Sequence, residues 1–168
     1  MRRTGGIALP VLVLCACAWL TQARLAVWHS DLALWRDAAE KTPTRPRPVM
    51  DYGRALEMAG DLDGAERQYR QTISFALDDR RGRRANRFAI AAAETNIAHL
   101  YLRQGRINDA LVVLTSTLGW WPDFPYAHYN IGRVLWEHGA CQEGMQEILM
   151  ARSQDTTLSL PSEPCATP

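Results

Sequence analysis

Apolar residues follow two different patterns along the chain. An almost unbroken apolar stretch runs from Ile7 to Leu20, and no charged residue lies between Thr4 and Ala23. Beyond that point apolar residues recur three and four positions apart, as they do on one face of an amphipathic helix. The chain is therefore predicted to be all-α, with one apolar helix near its start and a series of amphipathic helices after it.

The apolar segment is long enough to cross a membrane. About 20 apolar residues in a helix span a hydrocarbon core of ~30 Å, and two arginines directly precede this stretch. Positive residues tend to stay on the cytoplasmic side. We therefore expect residues 1–24 to anchor the chain in the inner (cytoplasmic) membrane by a single pass, with residues 5–23 in lipid and the rest on the periplasmic, extracytoplasmic side. The alternatives are a cleaved signal peptide ending near Thr21–Ala23, a lipoprotein signal acylated at Cys17 and a buried helix of a soluble fold.

A period of about 34 residues organises the chain after this segment. Gly105 recurs one period later as Gly139, and it is matched by Gly60 in the unit before, where the spacing is longer. The same offsets connect small residues on both sides of these turn glycines. The small residues that precede the turn glycines are Gly53, Ala98 and Gly132, and those that follow them are Ala65 and Ala110. Small residues let two helices approach closely, and glycine permits a left-handed helix cap. Each unit is therefore predicted to be a pair of antiparallel helices.

This pattern resembles the tetratricopeptide repeat, a helix-turn-helix unit with the same period. The resemblance covers three units over residues 46–155 and is closest over residues 91–124, where Pro122 supplies the terminal proline of the repeat. Leu77 and Thr156 stand at that position in the other two units. The resemblance implies a solenoid of stacked helical hairpins, in which the first helices form a concave groove for a protein or peptide.

The period also defines the segment between the apolar helix and the first full unit. Trp28 and Trp35 lie one period before Leu62 and Tyr69. Residues 25–45 are therefore predicted to form the second helix of a half repeat and its linker. On this interpretation, the apolar helix is continuous with the helical-hairpin solenoid.

Two further segments depart from the period. Extra residues separate the first and second units, and we predict a charged turn at Asp78–Gly82 followed by a long helix from about Arg83 to Gln104. Residues 156–168 are rich in Thr, Ser and Pro and have no helical periodicity. They are predicted to form a flexible tail.

The composition and the spacing of potentially catalytic residues exclude several classes of function but do not indicate a reaction. The chain has 19 Lys and Arg against 18 Asp and Glu, which gives no electrostatic reason to expect a nucleic acid partner. His29, Ser30 and Asp31 are adjacent and cannot converge as a catalytic triad on a helix. No His, Cys and acidic residues show metal-site spacing, so we expect a non-enzymatic protein without catalytic residues, cofactor or metal. Cys141 and Cys165 are candidates for a disulfide outside the cytoplasm, which the sequence leaves open.

Polar residues on the predicted first helices are the candidate binding site. Asn96 and Asn130 are one period apart, and Arg54, His99 and Arg133 occupy equivalent positions. The resemblance implies that such asparagines hold a peptide backbone and the basic residues hold a carboxylate. The predicted peptide-binding groove consists of Arg54, Asn96, His99, Arg103, Tyr129, Asn130, Arg133 and Trp136. An ordinary polar helix surface is the alternative interpretation.

Three functional hypotheses follow from these features. The first is a membrane-anchored scaffold that displays the repeats to a protein partner. The second follows from residues Arg24 to Ala38, which resemble the junction of membrane helix and repeats in transmembrane-and-tetratricopeptide O-mannosyltransferase-like proteins. That resemblance implies an accessory or detached part of a membrane glycosyltransferase, with the sugar-transfer chemistry in membrane helices that this chain lacks. The third is a lipoprotein of an envelope-assembly machine.

Overall fold

Helices make up most of the chain that the computed structural model describes, which is residues 5–78 and 83–165. Within these ranges there are eight α-helices and no β-strand, so the all-α prediction is confirmed for the described residues. The α-helices are α1 (Gly5–Ala26), α2 (Asp31–Lys41), α3 (Pro46–Met58), α4 (Leu62–Asp78), α5 (Arg83–Arg103), α6 (Ile107–Trp120), α7 (Pro125–Glu137) and α8 (Cys141–Gln154). A short 3₁₀-helix (Val27–His29) lies between α1 and α2.

The apolar helix is not continuous with the helix that follows it, contrary to the prediction. The 3₁₀-helix interrupts the chain, and α2 starts after Ser30. The Ser30 hydroxyl accepts a hydrogen bond from the amide of Ala33 at 3.2 Å and so caps a new helix. The interruption falls on valine and tryptophan, whose side chains lose freedom in a helix. An ion pair of 2.8 Å between Arg24 and Asp37 still links α1 to α2.

Helix α1 exposes its apolar side chains. Every side chain from Leu9 to Leu25 is exposed, including Leu14 at 68% and Trp19 at 70%. Within the described ranges, Leu9–His29 is the one segment that is long and apolar enough to cross a membrane. A membrane anchor and a signal sequence both fit these properties.

Glycine turns join the later helices into three hairpins, α3/α4, α5/α6 and α7/α8. Gly60, Gly105 and Gly139 have φ angles of 88°, 73° and 85°, in the left-handed region that favours glycine. In each turn the residue after the glycine donates its amide hydrogen to the carbonyl five positions back, as Asp61 does to Leu56 at 2.9 Å. This bond is characteristic of the Schellman cap. The left-handed glycine predicted at the end of each first helix is confirmed.

The hairpins pack in chain order around one apolar interior. Each helix from α2 to α8 contacts the next, and α5 also contacts α3 and α7. Tyr69, Leu100, Leu114 and Phe124 have no exposed surface, and full burial of a large apolar side chain contributes about 2 kcal/mol. Because α5 contacts α3 and α7, the first helices of successive hairpins are neighbours. A binding surface shared by these three helices requires that arrangement.

The small residues singled out by the period lie between helices. They are Gly53, Ala65, Ala98, Ala110 and Gly132, and all five are buried. A Cβ atom on Gly53 would lie 2.7 Å from the Tyr69 ring, and one on Gly132 would lie 2.7 Å from the carbonyl oxygen of Gly144. Helices α7 and α8 therefore meet backbone to backbone, because no side chain separates them at this point.

The extra residues between the first and second hairpins lengthen α5. Its bounds agree with the long helix predicted from the sequence. Helix α4 extends to Asp78, and the rest of the predicted charged turn lies outside the described residues. Near the start of α5, the Arg87 guanidinium carbon lies 4.7 Å from the centre of the Trp121 ring, and Arg87 donates to the Trp120 carbonyl at 2.5 Å. The extended helix thus packs on the connection between α6 and α7.

Candidate functional site

The predicted groove residues lie on three neighbouring helices. Arg54 is on α3, Asn96, His99 and Arg103 are on α5, and Tyr129, Asn130, Arg133 and Trp136 are on α7. We call these eight residues the α3/α5/α7 face. Because α5 contacts both other helices, groups on α3 and α7 are within reach of α5. Several residues of the face already bind other groups of the same chain.

Glu57 of α3 binds two of the basic residues on α5. One of its carboxylate oxygens, Oε1, lies 2.8 Å from Nδ1 of His99 and 3.3 Å from a guanidinium nitrogen of Arg103. The Tyr69 hydroxyl donates to the other carboxylate oxygen at 3.0 Å. The Glu57 side chain is only 12% exposed. Side chains of two other helices, α4 and α5, therefore surround one nearly buried carboxylate of α3.

The electrostatics of this cluster keep Glu57 charged. Burial by itself would raise the pKa of Glu57, but hydrogen bonds from His99 and Tyr69 outweigh burial and lower that pKa. Burial and then the negative charge of Glu57 raise the pKa of the Tyr69 hydroxyl. Glu57 is thus an anion at neutral pH and Tyr69 a neutral donor. His99, which we expected to bind a carboxylate of a ligand, and Arg103, which we expected to line the groove, both bind an internal carboxylate instead.

Glu57 is not among the eight residues predicted for the groove, although the register of the repeat places it on the same face of α3 as Arg54. It lies one helical turn after Arg54, so an acidic residue and a basic residue share one face of α3. That spacing is the signal that would have indicated it. The repeat offset hides the signal, because the equivalent residue in the second unit is Leu102.

Arg54, Asn96 and Asn130 form the open part of the face. The Arg54 side chain is 65% exposed and lies 3.7 Å from the Asp51 carboxylate, a long ion pair. Burial raises the pKa of Asp51, although Arg54 and Arg47 oppose that rise. Asn96 and Asn130 are half-buried, and within the described ranges their side-chain amides make no hydrogen bond. These amides are available to a ligand.

On α7, residues from the tail cover the predicted groove. The Tyr129 hydroxyl lies 3.0 Å from the Ser159 hydroxyl, and the Trp136 indole nitrogen donates to the Glu163 carbonyl at 3.1 Å. A pocket of about 440 Å³ lies between the tail and the helix. It is lined by Tyr129, Arg133, Trp136 and Glu137 of α7 and by residues 159–164. Arg133 pairs with Glu137 on its own helix at 2.9 Å.

A disulfide fixes the tail to the start of α8. Cys141 and Cys165 are bonded, with their Cα atoms 5.7 Å apart, so the pairing that the sequence left open is present. Arg152 of α8 donates to the carbonyl of Leu158 within the tail. The structure differs here from the prediction of a flexible tail over residues 156–168. Hydrogen bonds and the disulfide hold the described part of the tail against α7 and α8, and a search for helical periodicity does not reveal such contacts.

Two histidines outside the face, His128 and His138, have structural partners. Nδ1 of His128 lies 2.5 Å from the Glu147 carboxylate, and its Nε2 lies 2.6 Å from the Pro122 carbonyl. Nδ1 of His138 lies 2.8 Å from the Val134 carbonyl within α7 and its cap. Among the residues that the structure describes, no three His, Cys, Asp or Glu side chains are grouped so that they could hold a metal ion.

No known family model matches this chain, and no curated protein matches it. The likeness to the tetratricopeptide repeat therefore depends on the spacing of small residues and on the glycine turns described above.

Proposed function

We propose that this protein is a membrane-anchored scaffold of tetratricopeptide-type hairpins whose α3/α5/α7 face binds an extended segment of a partner protein. The observation that carries the proposal is the pair of unbonded amides of Asn96 and Asn130, which occupy equivalent positions on neighbouring first helices. An amide side chain offers both a donor and an acceptor. It can therefore bond the N–H and C=O of a peptide backbone without regard to the peptide's sequence.

The packing of the hairpins supports a repeat scaffold. The three glycine turns repeat the same cap, and small buried residues recur in the same register in each hairpin. Stacked units of this kind bury a shared core and leave one face of the first helices open along its length. Such a face suits an extended peptide better than a small compact ligand.

Two observations support an anchored, extracytoplasmic protein. Helix α1 exposes all of its described side chains from Leu9 onward, so its apolar surface would be covered by lipid if it spans the membrane. The bond between Cys141 and Cys165 is of a kind that persists in oxidising compartments outside the cytoplasm. A single-pass anchor in the inner membrane with periplasmic repeats accounts for both.

Site-specific photocrosslinking in the native envelope tests the proposal. A photoreactive amino acid placed at Asn96 or at Asn130 of the full chain should give a discrete adduct with one protein. The matched control is the same amino acid at Ser116, an exposed position on α6, which should give no such adduct. Adducts of equal yield at all three positions, or none at Asn96 and Asn130, would contradict a binding face on α5 and α7.

An accessory role in a membrane glycosyltransferase is the second candidate function. The exposed helix α1 and its ion pair to α2 through Arg24 and Asp37 favour it, because an apolar helix held at a defined angle can pack on other membrane helices as well as on lipid. The photoreactive residue placed at Leu20 distinguishes the two. An adduct with a multispanning membrane protein supports the accessory role, and adducts with lipid alone support a simple anchor. An acyl mass on Cys17 would instead support the lipoprotein.

A further inference from the structure

The tail follows α7 in register along one side of the helix. The hydrogen bonds join Tyr126 to Asp155 at 3.1 Å, Tyr129 to Ser159 at 3.0 Å and Trp136 to Glu163 at 3.1 Å. The three α7 residues are separated by three and by seven positions and therefore lie on one face. Their partners follow in the same order, so the tail runs parallel to α7 for most of its length.

The chemistry of this contact is that of a bound peptide. The Trp136 indole donates to a backbone carbonyl, that of Glu163, which lies between Pro161 and Pro164 in the sequence. Segments with closely spaced prolines favour an extended conformation without internal hydrogen bonds, so their carbonyls are free to accept. Aromatic side chains on a groove bind such segments through prolines and carbonyls. The tail thus presents the groups that an extended, proline-containing partner would present.

The tail covers the α7 part of the α3/α5/α7 face but does not belong to the apolar core. The pocket of about 440 Å³ remains between tail and helix. The side chain of Arg133 is 53% exposed and Leu160 is 48% exposed. A segment with so little buried apolar surface is held weakly by its contacts alone, and a competing peptide can replace it.

The disulfide compensates for these weak contacts. Cys165 lies at the far end of the covering segment and is bonded to Cys141 at the start of α8. The tail is therefore attached at both ends, at α8 and at the disulfide. Attachment of this kind gives a segment an effective concentration on the order of millimolar at its site. A contact whose dissociation constant lies well below that concentration is then occupied most of the time.

We propose that residues 159–165 are a built-in occupant of the α7 part of the α3/α5/α7 face, kept there by the disulfide. A partner segment that binds this part is an extended, proline-containing peptide that replaces the tail. This inference rests on the proposed function, in which the face binds an extended partner segment.

Peptide binding to the full-length protein in detergent micelles tests the inference. The probe is a fluorescent synthetic peptide of residues 156–168 with serine at the Cys165 position, and binding is measured by fluorescence anisotropy. The double variant Cys141→Ser/Cys165→Ser should bind the peptide at least ~10-fold more tightly than the wild type, because its tail is no longer attached at both ends. Glu143→Gln, an exposed change on α8, is the matched control and should behave like the wild type.

Removal of one contact identifies the site. Adding Trp136→Phe to the double variant should weaken peptide binding by about 5-fold, because one hydrogen bond to the peptide carbonyl is lost. Equal affinity of the wild type and the double variant would overturn the inference, as would no binding to a double variant that circular dichroism shows to be helical.

A second measurement keeps the disulfide and does not depend on the folding of the double variant. Chymotrypsin cleavage after Leu158 should be about 5-fold faster in Trp136→Phe than in Glu143→Gln, because the tail opens more often. An unchanged rate would overturn the inference. The photoreactive residue at Asn96 on α5, outside the tail's hydrogen bonds, reports on the proposed function separately. An adduct there without peptide binding by the helical double variant refutes the tail inference and leaves the proposed function standing.

Discussion

One nearly buried carboxylate, that of Glu57, connects three helices of this protein. Glu57 accepts hydrogen bonds from Tyr69 on α4 and from Arg103 on α5, and it also contacts His99. The cost of removing such a group exceeds the value of the bonds themselves, because the remaining partners are left without an acceptor. The cluster therefore stabilises the packing of the first hairpin on the second, whereas the sequence had suggested that its basic residues bind a ligand.

Glu57→Gln should lower the free energy of unfolding by about 2 kcal/mol at pH 7. The folded-state pKa of Glu57 lies below its ordinary value of 4.5. The stabilisation from the carboxylate is therefore complete above that value and disappears as pH falls through the folded-state pKa. The difference in stability between wild type and variant, measured by urea unfolding, should shrink as pH falls below about 4.5. A difference that is the same at pH 7 and pH 3 would contradict this account.

At the scale of elements, the hairpins depend on close approach of helix backbones. The strongest case is α7 against α8, where Gly132 faces the Gly144 carbonyl and both residues are buried. Large buried side chains such as Leu114 and Tyr69 fill the space beside these small residues. Small residues lie where two helices cross closely, and large residues lie between these points. This alternation explains why small and large residues recur with the period of about 34 residues.

Gly132→Ala should destabilise the protein by about 2–3 kcal/mol, because the new methyl group meets backbone atoms that cannot move aside cheaply. Gly119→Ala is the matched control. No atom lies within 4 Å of a Cβ built on Gly119 in α6, and alanine is the better helix former, so this change should stabilise the protein by about 0.5–1 kcal/mol. Thermal or urea unfolding measures both. Effects of the same sign and size would show that helix propensity, and not the close approach of α7 and α8, decides the outcome.

At the scale of the whole molecule, an exposed apolar helix precedes a packed set of hairpins. The interior of the hairpins is closed without α1, which contacts the rest mainly through the 3₁₀-helix and the Arg24–Asp37 pair. Because the fold does not bury α1, its apolar surface is expected to act on something outside the chain, and the proposal is that lipid covers it.

Leu14→Arg tests the membrane anchor, because Leu14 is exposed and lies in the middle of residues 5–23. A charge near the centre of a membrane helix costs about 3 kcal/mol, so this variant should be released from membranes by an alkaline wash far more than the wild type. Leu77→Arg is the matched control, because Leu77 is also exposed, at 68%, but lies on α4. It should stay in the membrane fraction. Equal retention of both variants would contradict the anchor, and a mature mass lacking the apolar segment would identify a signal sequence.

Features that depend on neighbouring residues and on a regular period could be predicted from the amino-acid sequence. Gly60, Gly105 and Gly139 end their helices because a left-handed residue is needed where the chain reverses, and glycine adopts that conformation at little cost. The length of α5 and the burial of the small residues follow from spacing along the helix in the same way. The open amides of Asn96 and Asn130 also lie on the helices that the period predicted.

The groups that the polar residues contact could not be predicted in this way, because they depend on three-dimensional packing. Glu57 binds side chains 42 and 46 positions away, and the tail reaches Trp136 from 27 positions away. The choice of partner depends on how far each helix is rotated and on where an irregular segment runs, and residue spacing carries little information about either. The break before α2 was also not predicted from residue spacing. The Ser30 hydroxyl caps α2 and so competes with a helix that continues from α1. Periodicity determines which face of a helix is buried, whereas three-dimensional packing determines whether the polar residues on the other face stay open or are already bound.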